Sequence, residues 1–357
     1  MSAGDWADQA LAGVMERVST TQDQVGDRFP LYAGPEDGVW RTTGRGSWTG
    51  GFWAGLLWLR ARRTGAPEDR KAAADRTARL APWAEADTAA RGLILWYPTA
   101  LAGDDPAAAA LRERAARAAL RDRDRGLGIV PWGDAFGGPR LRARADGVPG
   151  MVPLLAAADP AAAAGHLHRH LDLCLAGGGE PRPAWRFDEA RSRWLPCEDP
   201  RPGWSRGRAW LLLAVADALL RPEVAAQEPG RLTAAARHLL ALDGVLAGPL
   251  VPPDGADAPR GPLDTSAAAI TAVALLKLAR LPEDWSRACA YRGVAILSRL
   301  AEGHLTQGGD GRPAGMLLDG CYDAAEGLAE RHELIWGDFF LALGLASLNG
   351  LVDLTRV

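Results

Sequence analysis

The chain has 357 residues, 48% of them hydrophobic, with 41 Lys+Arg against 44 Asp+Glu and a formal net charge of -3. That length holds one large domain or two ordinary ones, and the near-neutral balance lacks the basic surplus with which nucleic-acid binders neutralise phosphates. No stretch approaches the roughly 18 uninterrupted apolar residues of a membrane span, and the acidic N-terminus has no signal-peptide pattern, so a soluble, cytoplasmic protein without nucleic-acid or membrane partners is expected.

Alanine and leucine dominate, which favours an all-α chain. Apolar periodicity predicts twelve helices, near 3–19, 48–64, 68–80, 87–102, 106–120, 146–158, 160–176, 203–220, 229–242, 264–280, 284–300 and 333–349, with almost no convincing strand. Turn signals at 64–68, 103–106, 158–160 and 281–284 separate helices within hairpins. Longer intervals at 20–47, 121–145, 177–202, 243–263 and 301–332 are rich in Gly, Pro, Trp and charge, and they precede even-numbered helices. Twelve helices taken as six hairpins predict a closed α/α toroid with an inner and an outer ring. No Pro/Gly/Ser linker divides the chain, so 1–357 reads as one domain. An open helical solenoid shares the hairpin repeat. The toroid is favoured because the unusual stretches all fall at N-terminal ends of even-numbered helices, which a ring gathers at one mouth. Such a mouth suits an anionic or hydroxyl-rich small-molecule or oligosaccharide ligand.

Several stretches are candidates for chemistry. GSWTGGFWAGLLWL sets Trp48 and Trp53 before an apolar helix among Gly50, Gly51 and Gly55. Glycine beside tryptophan leaves a ring face open to the C–H face of a sugar, or else allows close helix packing. GWSRGRAW brings Trp204, Arg206, Arg208 and Trp210 within two helical turns, Trp204 and Arg208 on one face, Arg206 and Trp210 on another. Guanidiniums at a helix start oppose the dipole and so call for a carboxylate, from a ligand or from the protein itself. Asp146, after the basic run 140–145, is an N-cap or a proton donor tuned by its surroundings. Asp134 in the preceding loop is a second acid of interest. Asp264 reads mainly as an N-cap, and Asp338 as a mouth-lining acid or an inter-helix anchor. His166, His168 and His170 read as part of an exposed outer helix rather than a metal site. Four cysteines, Cys174, Cys197, Cys289 and Cys321, occur without a CxxC pair, so neither a zinc ribbon nor a disulfide framework is indicated.

GSWTGGFWAGLLWL, ADGVPGMVPLL, GWSRGRAW, DTSAAAITAVALLKL and ELIWGDFFLAL follow one another across nearly the whole chain. Together they resemble the unsaturated glucuronyl hydrolases of glycoside hydrolase family 88. The resemblance implies an (α/α)6 barrel and a hydrolase that hydrates the C4=C5 enol ether of a 4,5-unsaturated uronoside, with no metal or organic cofactor. An aspartate protonates C4 and directs water to C5, and the hemiketal opens to release the aglycone. By position, Asp146 matches that aspartate; Trp48, Trp132 and Trp210 match sugar-contacting tryptophans, and Arg206 matches a site arginine. The chain departs from the pattern where Ala90 stands for a second aspartate, with Asp87 and Asp134 as the nearest acids to assist Asp146. It departs again where Ala184–Trp185 replaces a histidine and Arg208 a glutamine. Two other readings stay open: a diverged enzyme of the same barrel performing a lyase or tailoring step on another metabolite, and a non-catalytic sugar-binding protein.

Overall fold

The computed structural model describes residues 5–309 and 311–357. In chain order the elements are α1 (Asp5–Val25), β1 (Phe29–Ala33), β2 (Trp40–Thr43), α2 (Gly50–Thr64), α3 (Pro67–Ala78), α4 (Arg91–Leu101) and α5 (Pro106–Asp122). There follow β3 (Arg142–Arg144), α6 (Met151–Ala156), α7 (Pro160–Cys174), β4 (Ala184–Asp188), β5 (Arg193–Pro196), α8 (Ser205–Leu219) and α9 (Pro222–Ala225). The last are α10 (Arg231–Ala241), α11 (Thr265–Leu278), α12 (Ser286–Gly303), β6 (Glu333–Leu334) and α13 (Ile335–Leu348).

Local signals set many of these boundaries. Asp105, Asp159 and Asp264 accept backbone N–H groups at the heads of α5, α7 and α11, while Pro67, Pro106 and Pro160 sit in first turns, where a missing N–H costs nothing. Helices α2, α4, α6, α8, α11 and α13 each pack on the next, and α13 returns to α2, which closes a ring. The other long helices pack outside it: α1 on α13, α3 on α2, α5 on α4, α7 on α6, α10 on α8 and α12 on α11. This is the (α/α)6 barrel. The ring helices are apolar nearly all round, as burial on every side requires, whereas outer α10 buries only Leu232, Ala236, Leu239 and Leu240. Glycine permits the tightest approach inside the ring: a Cβ on Gly92 of α4 would lie 2.1 Å from the Met151 amide nitrogen of α6. Buried Arg17 of α1 and Glu333 of β6 pair at 2.6 Å and fasten the first outer helix to the last hairpin.

All twelve predicted helices occur, with shifted ends, and α9 is an additional short one. The 3–19 helix runs on to Val25; residues 3–4 lie outside the described residues. The helix expected over 146–158 is broken, because Gly150 takes the left-handed conformation (φ +69°) and leaves Asp146 in a separate 3-10 turn, Ala145–Gly147. The helix expected from 87 begins at Arg91. Strand is sparse, as expected, but not absent: β2-β1-β6 and β3-β4-β5 form two three-stranded antiparallel sheets, with β1 to β5 inside the long intervals and β6 at the head of α13. Their strands have two to five residues, too few for an alternating pattern to stand out. Among the described residues no helix is long and apolar enough to cross a membrane.

Candidate active site

Segments leading into the ring helices α2, α6, α8, α11 and α13 meet around a cavity of about 560 Å³. Four indoles, Trp48, Trp132, Trp204 and Trp210, line it together with Phe136 and Tyr322. Trp48 donates its indole N–H to the Tyr322 hydroxyl at 3.2 Å and packs on Trp336, ring centres 4.8 Å apart, so its plane is fixed from two sides. Trp210 is only 1% exposed; it bounds the cavity without offering a broad stacking face.

Asp146 lines the same cavity, and both its oxygens are engaged: Arg144 donates from Nε at 2.9 Å and from Nη2 at 3.0 Å. The Arg144 guanidinium in turn lies 4.7 Å over the Trp132 ring. Burial works against the charge of Arg144, but Asp146 more than offsets it and the pKa of Arg144 is raised. Trp132, Arg144 and Asp146 therefore form one braced wall. Beside it Arg142 of β3 donates from Nη2 to the Gly137 carbonyl at 3.0 Å. Its Nε is buried without a partner, and among the described residues it has no ion pair. Burial lowers its pKa, and the neighbouring charge of Arg144 adds to that.

Arg206 borders the cavity too, and both of its terminal nitrogens bond protein acceptors. Nη1 reaches Asp264 and the Cys321 carbonyl, each at 2.5 Å, and Nη2 reaches the Tyr322 carbonyl at 2.7 Å. Asp264 also accepts from the Ser266 and Ala267 amides and the Ser266 hydroxyl. It is thus the N-cap expected, and in addition the partner that the helix-start guanidinium called for. Arg206 holds Cys321 and Tyr322 against α8 while bordering the cavity.

Other expected site residues stand elsewhere. Trp53 is wholly buried in the core, because its turn of α2 faces the neighbouring ring helices. Arg208 points away from the cavity and bonds Glu180 at 3.1 Å and the Asp243 carbonyl at 2.8 Å. Asp338 is buried near Glu333 and Arg17, its Oδ1 without a partner; burial, then the charge of Glu333, push its pKa well above the carboxylate range. It is not a mouth-lining acid. Asp87 accepts from Arg140 at 2.7 and 3.2 Å and anchors the 131–140 loop, outside the cavity lining. Asp134 is exposed in that loop and also outside the lining. Ala90 is fully buried.

The histidine run, expected to be exposed, is buried. His166 accepts the Val130 amide at 3.1 Å, His168 meets Glu228 at 2.9 Å, and His170 meets the His166 carbonyl at 2.8 Å. Burial holds the pKa of His166 well below its usual value, and neighbouring His170 adds to the effect. Among the described residues no group of His, Cys, Asp and Glu is placed to hold a metal ion.

Sequence reasoning missed Arg142, Arg144, Arg201, Asp254 and Tyr322 in the lining. Arg144 had one available signal, its place in the basic run 140–145 directly ahead of Asp146. Asp254 sits in a Pro-Pro-Asp-Gly turn sequence and looks like a turn residue.

A scan of known families matches none of them to the chain, and no curated protein matches it. Solved structures do resemble it over nearly its whole length. A structure of UGL with dGlcA-Glc-Rha-Glc has 23% identity and a TM-score of 0.80, with 96% of each chain covered. The unsaturated glucuronyl hydrolase of Bacillus sp. GL1, described as responsible for the degradation of glycosaminoglycan, has 22% identity and a TM-score of 0.78, again with 96% of each chain covered. An unsaturated glucuronyl hydrolase specific for heparin has 18% identity and a TM-score of 0.80, covering 98% of this chain and 99% of its own. At these identities the likeness establishes the architecture: the chain has the (α/α)6 barrel of the unsaturated glucuronyl hydrolases.

Proposed function

We propose that the protein is a hydrolase of the unsaturated glucuronyl type, acting on a 4,5-unsaturated uronoside. The observation that carries this reading is the placement of Asp146 on an indole-lined cavity of about 560 Å³, within a barrel whose solved likenesses are unsaturated glucuronyl hydrolases. The cavity is of the size that takes one or two sugar rings. Indole faces suit the flat, half-unsaturated ring, and the Arg142 guanidinium suits its carboxylate.

The reaction adds water across C4=C5: a proton goes to C4, positive charge develops between C5 and the ring oxygen, and water closes on C5 to give a hemiketal that opens and releases the aglycone. We assign Asp146, which lines the cavity with its carboxylate oriented by Arg144, to receive the proton of that water. The test is the loss of enol-ether ultraviolet absorbance on a panel of unsaturated disaccharides, sulfated and unsulfated. Consumption by the wild-type protein, with Asp146→Asn lowering kcat about 100-fold or more, is expected. Inertness of the wild type toward the whole panel overturns the reading.

One observation favours a second reading, a diverged enzyme of the same barrel working on another metabolite. Ala90, where the resembled family has an aspartate, is fully buried, and a site without that hydrogen-bonding group discriminates differently among substrates. Turnover of a non-uronoside by a wild type inert toward the disaccharide panel decides for it.

A further inference from the structure

The addition described above needs a source for the proton at C4, and Asp146 is engaged at both oxygens by Arg144. We infer that Asp254 is that proton donor, a second catalytic carboxyl lining the same cavity as Asp146. The inference rests on the uronoside reading for its substrate and on the placement of Asp254 for its assignment.

Asp254 is clamped through its backbone. Its N–H donates to the Pro262 carbonyl at 2.9 Å, and its carbonyl accepts the Ser205 amide at 2.8 Å, which ties it to the first turn of α8. The residue is 6% exposed, and it lines the cavity. Among the described residues no N–H or O–H lies within hydrogen-bond distance of its carboxyl. Arg201 Nη2 stands at 3.6 Å, and Arg201 is itself shared with Asp257 at 3.4 Å. Arg206, the other nearby cation, is spent on Asp264 and two carbonyls. A buried carboxyl left without donors is uncommon in a folded protein, and one facing a cavity has a ligand as its natural partner.

The charges around Asp254 agree with its carrying a proton. Burial acts most strongly, followed by Asp264 at the head of α11, with a further contribution from Asp323 ahead of α13; Arg206 and Arg201 act the other way. Together they push its pKa up to about 6. A carboxylic acid kept neutral by a poorly solvated site is a common way to supply an acid near neutral pH.

The step balances. The Asp254 O–H proton passes to C4 as the C4=C5 electron pair forms the new C–H bond. Water bonds to C5 and gives its proton to Asp146. The hemiketal then opens, the aglycone leaves as an alcohol, Asp254 regains a proton from solvent and Asp146 returns one to it. The sum is one water added, with no oxidation or reduction.

Two measurements on the full-length protein test this. In kinetics on an unsaturated disaccharide, Asp254→Asn is expected to lower kcat about 100-fold or more with KM changed only a few-fold. Carbon-13 NMR of aspartate-labelled protein is expected to show a carboxyl titrating near pH 6 that Asp254→Asn removes. Should Asp254→Asn fail to fold, Asp254→Glu serves in its place and is expected to move that resonance and lower kcat about 10-fold or more. A merely structural Asp254 lowers the melting temperature, leaves kcat within about threefold and keeps the pH profile; that result, or a carboxyl titrating with the ordinary aspartates, overturns the assignment while the uronoside reading stands. A wild type inert toward every unsaturated disaccharide, with the resonance near pH 6 intact, overturns the uronoside reading and the role together.

Discussion

Arg206→Ala is expected to destabilise the fold by removing a buried ion pair and two hydrogen bonds to backbone carbonyls. The Arg206 and Asp264 side chains are 4% and 0% exposed, so their ion pair is scarcely screened. Removing one member of such a pair costs about 3–5 kcal/mol, because the other is left buried and charged. Asp264 keeps three other donors, the Ser266 and Ala267 amides and the Ser266 hydroxyl, which places the cost near the lower end. The Cys321 and Tyr322 carbonyls lose their donor at the same time. A loss of about 3 kcal/mol, read from the urea midpoint at constant slope, is therefore expected, together with faster amide exchange in the 319–323 segment. The double variant Arg206→Met/Asp264→Asn removes both charges, and Asn still caps α11, so it is expected to cost less than Arg206→Ala alone. A stability for Arg206→Ala within about 0.5 kcal/mol of wild type, or a double variant equal to the sum of the singles, refutes the reasoning.

Three further outcomes follow from particular contacts. The pKa of Asp254 rises on folding from 3.8 to about 6, so its folding contribution is most favourable below pH 4 and is lost as pH rises through about 6. Asp254→Asn should accordingly stabilise the protein near pH 8 but not near pH 4; the shift bounds the gain at about 3 kcal/mol, and solvent in the cavity reduces it to about 1 kcal/mol. Equal effects at the two pH values in urea titrations contradict this. Arg142→Ala should raise KM for an unsaturated uronoside about 10-fold or more while leaving kcat nearly unchanged, since it removes a charged hydrogen bond to the bound carboxylate; an unchanged KM removes Arg142 from the site. Gly92→Ala drives a Cβ into backbone on the neighbouring helix and should cost about 1–3 kcal/mol in chemical denaturation, whereas Gly13→Ala in α1, with nothing within 4 Å, should be neutral or stabilising.

The ring was legible because each of its helices repeats an apolar pattern long enough to count, and because Pro and Asp mark many of the starts. The strands were not, since Glu333–Leu334 and Arg142–Arg144 are too short to alternate visibly and exist only through pairing with distant segments. The site was legible where residue chemistry is unusual in itself: Trp48, Trp132, Trp204, Trp210, Asp146 and Arg206 all line one cavity. Trp53 lies on the helix that follows the lining residue Trp48, and Arg208 on the same helix as Arg206 and Trp210, but both are on turns that face protein. Asp254 and Arg142 carried no mark because their significance is that, among the described residues, the Asp254 carboxyl meets no hydrogen-bond donor and the Arg142 guanidinium no carboxylate, which only the folded surroundings define.

Solvent deuterium incorporation tests the central claim most directly. Wild-type protein incubated with an unsaturated uronoside in deuterium oxide should yield product bearing one deuterium at C4, seen by NMR, as the enol-ether absorbance disappears. Aglycone released with no deuterium gained at C4, or no release at all, contradicts the account.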